Sequence, residues 1–155
     1  MNPNYNNPAP PSEFLEKVIQ IKRVSKKTKG GNQISFTALT VAGDRVSRVG
    51  IGHARAKNVA DAIKKSLSKA RKNMITLQLV NQTISGSVVY KYKGASVSLR
   101  PGKSGSGLIA GGPVRAVVEP AGIKDLVSKV HGTRNKMANV MATFNALCYL
   151  SALKS

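Results

Sequence analysis

Two apolar, β-rich runs, Ile34–Ala42 and Val46–His53, are separated only by Gly43-Asp44-Arg45. No other feature restricts the fold so tightly. Strands this close, with a Gly-Asp turn signal between them, pair antiparallel, because a parallel pair needs a long crossover. Ile34, Phe36 and Ala38 fall on one face of the first run, with Ser35 and Thr37 on the other. In the second run Gly50 and Gly52 share a face, where a missing side chain lets another backbone come close. Upstream, Val18–Val24 reads as a further strand, and Lys26-Lys27-Thr28-Lys29-Gly30-Gly31 as a basic loop joining it to Ile34–Ala42. Downstream, Ala56, Val59, Ile63, Leu67, Ala70 and Met74 recur at helical spacing, predicting a helix from about Ala56 to Asn73. Its opposite face carries Lys57, Lys64, Lys65, Lys69 and Lys72, with Asp61 placed to pair with Lys65. Three antiparallel strands and a helix make one unit.

The rest of the chain mixes element types. Ile75–Val80 alternates as a strand, and Ser85–Tyr92 with Ala95–Leu99 reads as a hairpin turning at Lys93-Gly94. A glycine-rich loop, Pro101–Gly112, leads into a helix over Pro113–Glu119. Leu126–Val130 reads as a strand, and Asn135–Leu153 as a long apolar helix. The fold class is α+β in two units: residues 13–74 with the antiparallel sheet and helix, and residues 75–155. Residues 1–12 form an Asn/Pro tail without apolar periodicity and read as disordered, with Ser12 capping a short turn beyond them. Units of roughly 65–75 residues are marginal alone and are expected to lean on each other.

Charge selects the partner. Lys and Arg total 25 against 6 Asp and Glu, a formal net charge of +19. Such a surplus repels itself unless a polyanion neutralises it, which points to nucleic acid. A membrane surface would need large apolar anchors, and the chain has no Trp and 3 Phe. The single Cys148 excludes an internal disulfide or a cysteine-rich metal site and reads as a small buried residue. No apolar run approaches the ~20 residues of a membrane span. The first residues carry no apolar signal core, so the expected location is a prokaryotic cytoplasm, or an organelle interior if a transit peptide has been removed.

Catalytic patterns fail on inspection. Gly102-Lys103-Ser104 lacks the phosphate-loop glycine five residues earlier, where Val97 stands. Gly105-Ser106-Gly107 with Gly111 is one residue off the dinucleotide spacing. The loop is similar to the phosphate loop of small-molecule kinases of the GHMP class, but the scattered acids offer no group for an acceptor hydroxyl. Its backbone N–H groups could still hold an RNA phosphate. His53 and His131 have no spaced partner for a metal and read as packed or RNA-facing. No enzyme activity, cofactor, metal or small-molecule substrate is expected. Phe36 reads as core, and Tyr90 and Tyr92, beside Lys91 and Lys93, as core or as supports for sugar-phosphate. The aromatics form no base-stacking signature, so recognition of RNA backbone and shape is expected.

The segments KRVSKKTKGG, FTALTVAGD, RVGIGHARAKNVADAIKKSLSKARKNMI and GSGLIAGGPVRAVVEPAGI resemble the bacterial-type ribosomal protein S5 family of the small subunit, in order and spacing from Glu13 to Leu150. The resemblance implies an N-terminal domain similar to double-stranded-RNA-binding folds. It also implies a C-terminal α+β domain shared with GHMP kinases, which accounts for the kinase likeness without kinase activity. It implies binding to small-subunit ribosomal RNA, neighbouring proteins S4 and S8, mRNA passing nearby where it enters the subunit, and roles in assembly and translational accuracy. In the family the loop matching Val24–Gly31 lies by the RNA of the head–body hinge, where changes can give spectinomycin resistance.

On this reading Arg23, Lys26, Lys27 and Lys29 bind phosphates, while Gly30 and Gly31 admit close backbone approach. Arg48, His53, Arg55 and Lys57 extend the footprint, and Lys103 and Arg115 form a second one. The alternatives are a free RNA-binding regulator or chaperone and, more remotely, a GHMP-type kinase. Three departures from the family pattern stand out. Arg45-Val46-Ser47 replaces a Gly-Asn-Gly turn, which must therefore be rebuilt. Gly52-His53-Ala54-Arg55-Ala56 stands for GYGKA, keeping the charge at Arg55, with Ala54 limiting backbone approach; Lys103-Ser104-Gly105 replaces an acidic stretch. The end at Ser155 is short for the family and reduces the expected tail contact with S8.

Overall fold

A computed structural model describes residues 14–153. The expected tail, 1–12, and the cap at Ser12 lie outside the described residues. Strands β1 (Leu15–Thr28), β2 (Gly31–Gly43) and β3 (Arg48–Ala56) run antiparallel. Helix α1 (Val59–Lys72) follows, and β4 (Met74–Thr76) adds a short fourth strand beside β3, across the expected division after residue 74. The expected three strands and helix are present. What differs is the length of β1, which covers 14 residues. Lys26, Lys27 and Thr28, expected in a loop, pair with Gln33, Asn32 and Gly31. A ribbon wetted on both faces needs no apolar alternation, so periodicity gives it no signal.

Helix α1 lies against the face of β3 that carries its glycines. A Cβ at Gly52 would collide with the Ser66 carbonyl, and one at Gly50 with that of Ala70. The approaching backbone is therefore this helix. The helix side is correspondingly small: Ala62, Ser66 and Ala70, four residues apart, are its buried positions. The expected apolar face is corrected on this point, since Val59 is exposed and Ile63 and Leu67 are half-buried. Close approach admits only small residues at the contact and turns the larger ones toward its margins. Ser66 is satisfied in this dry seam by Thr40 Oγ1, which donates at 3.0 Å, and by the Ile63 carbonyl at 2.9 Å. Asp61 accepts from Asn58 Nδ2 at 3.4 Å rather than pairing with Lys65.

The second domain holds a small hairpin, β5 (Leu79–Val80) and β6 (Thr83–Ile84), turned at Asn81-Gln82 with both φ positive. The expected strand Ile75–Val80 is thus split between β4 and β5. The break falls at buried Leu77, whose N–H donates to the Ser47 carbonyl at 2.8 Å. A four-stranded sheet follows in the order β7 (Val88–Tyr92), β8 (Ala95–Pro101), β10 (Leu126–His131) and β9 (Leu108–Ile109). Helices α2 (Gly112–Val118) and α3 (Lys136–Ala152) complete the domain. Asn135 caps α3, its side chain accepting from the Met137 N–H at 3.1 Å. Ala95, Val97 and Leu99 of β8 are buried, and Ser96 and Ser98 point the other way, half-buried.

The two domains share one core. Leu39, Val41, Val49 and Ile51, on the face of the first sheet away from α1, join the apolar cluster that includes Val114, Val118 and Ile123. Tyr90 and Tyr92 pack against the same cluster, and Phe36 is half-buried rather than core. Among the described residues, no helix is long and apolar enough to cross a membrane.

Candidate nucleic-acid interface

Beyond Phe36, which pairs with Ala56 at the end of β3, strands β1 and β2 continue without a third partner. They form a two-stranded arm ending at Lys29-Gly30. Thr28 Oγ1 donates to the Gly31 carbonyl at 2.7 Å and clips the turn, and Gly31 has φ +122. A Cβ at Gly30 or Gly31 would meet nothing within 4 Å, so the tip is open.

Register decides which cations share a face. A bulge between Val18 and Gln20 inserts Ile19 into β1. Beyond it Gln20, Lys22, Val24 and Lys26 pair with Leu39, Thr37, Ser35 and Gln33 and take the face away from α1. Arg23 and Lys27, paired with Phe36 and Asn32, take the other face. On the first face Lys26, Arg55 and Lys57 converge on a pocket of about 340 Å³ with Gln33, Ile34, Ser35 and Ala56, and no carboxylate lines it. Arg55 Nε donates to Ser35 Oγ at 2.7 Å, which orients the guanidinium. His53 lies beside this pocket, in a cleft of about 200 Å³ lined also by Gln20, Lys22, Thr37, Leu39, Asn135 and Met137. Ala54 is buried, pointing to α1 and away from this surface.

The other predicted cations stand apart. Arg48 is at the opposite end of β3, seven residues from Arg55 and so roughly 23 Å away. It donates to Asp44 Oδ2 at 2.8 Å and lies 5.6 Å from the centre of the Phe14 ring. Lys103 and Arg115 are exposed on the second domain. Lys22 is a cation that the sequence reading missed; its spacing from Lys26 exposes it once β1 is carried through Thr28.

The glycine-rich loop is already filled. Buried Asp125 accepts from the Gly105 N–H at 3.2 Å and the Gly107 N–H at 2.8 Å, and Thr83 Oγ1 from the Gly102 N–H at 3.3 Å. The N–H groups of Gly102, Gly105 and Gly107, in the loop expected to hold a phosphate, are therefore spent within the domain, and a carboxylate stands where an anion would sit. Cys148 is half-buried rather than buried, and burial pushes its thiol up. Among the described residues no cluster of His, Cys, Asp or Glu could hold a metal.

The turn at Arg45-Val46-Ser47 is rebuilt around Asp44. Its Oδ1 accepts from the N–H groups of Val46, Ser47 and Arg48 at 2.8–2.9 Å. Burial pushes this carboxyl up, but the Arg48 guanidinium and those three N–H groups outweigh it and hold it well below the usual carboxylate range. Arg45 itself takes φ 61, and its N–H donates to the Pro120 carbonyl at 2.9 Å, tying the turn to the second domain.

Comparison with known proteins matches both halves of the chain. Residues 14–78 match the family described as "Ribosomal protein S5, N-terminal domain", and residues 90–155 match "Ribosomal protein S5, C-terminal domain". A relative from Treponema denticola, named small ribosomal subunit protein uS5, is 49% identical over 138 residues, covering 89% of this chain and 80% of its own. One of the same name from Chloroflexus aurantiacus is 48% identical over 141 residues, covering 91% and 79%. Another, from Buchnera aphidicola subsp. Schizaphis graminum, is 46% identical over 136 residues, covering 88% and 81%.

Proposed function

Because this chain belongs to the ribosomal protein S5 family, a family of structural, non-enzymatic constituents of the small ribosomal subunit, we propose that it binds small-subunit ribosomal RNA through the β1–β2 arm. The observation that carries the reading is the convergence of Lys26, Arg55 and Lys57 on one acid-free pocket at the base of an open glycine tip. Phosphates are held there by three cations, one of them pre-oriented by Ser35. Lys29 at the turn and Arg23 and Lys27 on the reverse face let the arm be gripped by RNA from both sides. No aromatic lines the Lys26–Arg55–Lys57 pocket, and Phe36, opposite Arg23 at the base of the arm, is half-buried, so the surface reads backbone and shape. In the same proposal the chain acts in the cytoplasm, supports subunit assembly, and helps set accuracy near where mRNA enters, with S4 and S8 as neighbours.

Replacing Lys26, Lys27 and Lys29 together with Gln should weaken binding to small-subunit RNA and flatten the dependence of log K on log salt by about two to three. An unchanged slope overturns the assignment of the arm. Gradient sedimentation separates the ribosomal reading from a free regulator or chaperone. The protein should travel with small subunits through a high-salt wash, and release into the soluble fractions overturns the ribosomal reading.

A further inference from the structure

The second sheet buries one face, where α3 packs on β7 and β8, and leaves the other to solvent. On that open face the register brings together Lys91 of β7, Ser96 of β8 and His131 of β10 in one row. The next row is Val89, Ser98 and Lys129, and the third is Arg100, Val127 and Ile109. Lys91, Arg100, Lys129 and His131 are all exposed, and Val89 and Ile109 are 69% and 57% exposed. With strands about 4.8 Å apart, and successive same-face residues about 6.7 Å apart, the Cα atoms of Lys91 and Lys129 lie roughly 12 Å from each other. Those of Arg100 and Lys129 lie roughly 8 Å apart. The centre is lined by two serines, so the surface is flat and low.

Among the described residues, the acidic ones are committed elsewhere. Glu16 pairs with Arg71, Asp44 with Arg48 and Glu119 with Lys17; Asp61 lies on α1, and Asp125 is buried beneath the glycine-rich loop. None stands in the rows of this face, and Lys91, Arg100 and Lys129 form no ion pair among the described residues. A self-repelling cation array with no counter-ion among the described residues is complementary to a polyanion. The aromatics of β7 point the other way, since Tyr90 and Tyr92 pack on the core side. The face therefore offers serine hydroxyls, cations and small aliphatic residues, and no stacking platform for unpaired bases. That chemistry fits the sugar-phosphate edge of a folded RNA helix, where hydroxyls and cations meet phosphates and 2′-hydroxyls.

We propose that the open face of the β7–β8–β10 sheet, through Lys91, Arg100 and Lys129 about Ser96 and Ser98, is a second RNA-docking surface that takes helical RNA by its backbone, independently of the β1–β2 arm. The proposal rests on the ribosomal reading above and adds a separate contact on the other domain.

The test uses the full chain, with Lys91→Gln, Arg100→Gln and Lys129→Gln combined, beside the arm triple variant. The probes are small-subunit ribosomal RNA, a short RNA duplex and polyglutamate. The sheet variant should lose about tenfold or more in affinity for ribosomal RNA and for the duplex, and its salt slope should flatten by about two to three. Its loss should add to that of the arm variant, as expected for independent sites. Circular dichroism and the thermal midpoint should stay at parental values, and Lys91→Arg with Lys129→Arg should retain binding. Parental affinity and slope in the sheet variant overturn this proposal, while a loss confined to the arm variant leaves the ribosomal reading standing. Parental binding by both variants overturns both. Loss of polyglutamate binding alone, with RNA binding intact, overturns the RNA assignment in favour of an acidic protein partner.

Discussion

At Asp44, a single carboxylate holds together the turn that carries Arg45-Val46-Ser47. Three N–H groups and one guanidinium converge on a side chain that is 11% exposed. Replacing Asp44 with Ala should destabilise the protein by about 2 kcal/mol, because hydrogen bonds to a charged group are lost and their donors stay behind. Urea unfolding at neutral pH measures it. The pH dependence has a definite sign. A carboxyl held low in the folded state and ordinary in the unfolded one stabilises the fold above about pH 4, and that contribution fades as pH falls toward the folded value. The urea-midpoint difference between the parent and Asp44→Asn should therefore be larger at about pH 6 than at about pH 3; a constant difference would refute it. Arg45 occupies the left-handed region at φ 61. Arg45→Gly should raise stability by up to about 1 kcal/mol, read as a higher thermal midpoint, since the strain of a side chain there is removed.

Among the elements, the seam between α1 and β3 is the tightest contact. Gly52→Ala should cost about 3 kcal/mol, because its methyl group meets backbone that cannot rotate away. Loss of helix signal at lower denaturant checks this. The sequence showed that Gly50 and Gly52 needed a close neighbour, and it showed α1, but not that each answered the other. The large residues Val59, Ile63 and Leu67 dominate a periodicity count, whereas the contact belongs to Ala62, Ser66 and Ala70, of which that count held Ala70 alone. The strands from Ile34 to His53 were legible from their apolar, β-rich composition and the Gly43-Asp44 turn signal, and not from alternation, since Ser35 is buried, Ile34 is exposed and residues 38–43 are buried on both faces. The outer end of β1, beyond the expected strand Val18–Val24, was not, because 25–28 belongs to a solvated ribbon held by backbone pairing and the Thr28 clip. The same gap hid the partition of Lys26 and Lys27 onto opposite faces, and with it the place of Lys22 in the site.

For the molecule as a whole, the shared core makes the domains one thermodynamic unit. Val49 is fully buried on the sheet face that meets the second domain. Val49→Ala should cost about 2 kcal/mol, taking transfer and cavity terms together. Reporters in each domain should show a single common transition at a lower midpoint; separate transitions would contradict the shared core. By contrast, the Lys17–Glu119 bridge between domains is half exposed at 3.0 Å, and Glu119→Gln should change stability by less than about 1 kcal/mol. The sequence marks Val46–His53 as an apolar strand without saying what its faces meet, because composition reports burial and not the partner. The bulge at Ile19 has a consequence for this two-sided architecture. It acts as a phase shift in the strand: Lys17, before it, reaches Glu119 on the second domain, and Lys22 and Lys26, after it, remain on that same side despite the change from odd to even positions. Were Ile19 to pair regularly with Leu39 instead of bulging, every residue beyond it would slip by one position and the arm would turn over. Lys22 and Lys26 would change places with Arg23 and Lys27, and the pocket shared with Arg55 and Lys57 would lose Lys26 without any charge being removed. Beyond this point β1 is read in steps of two: a paired insertion preserves its sidedness, and a single one reverses it.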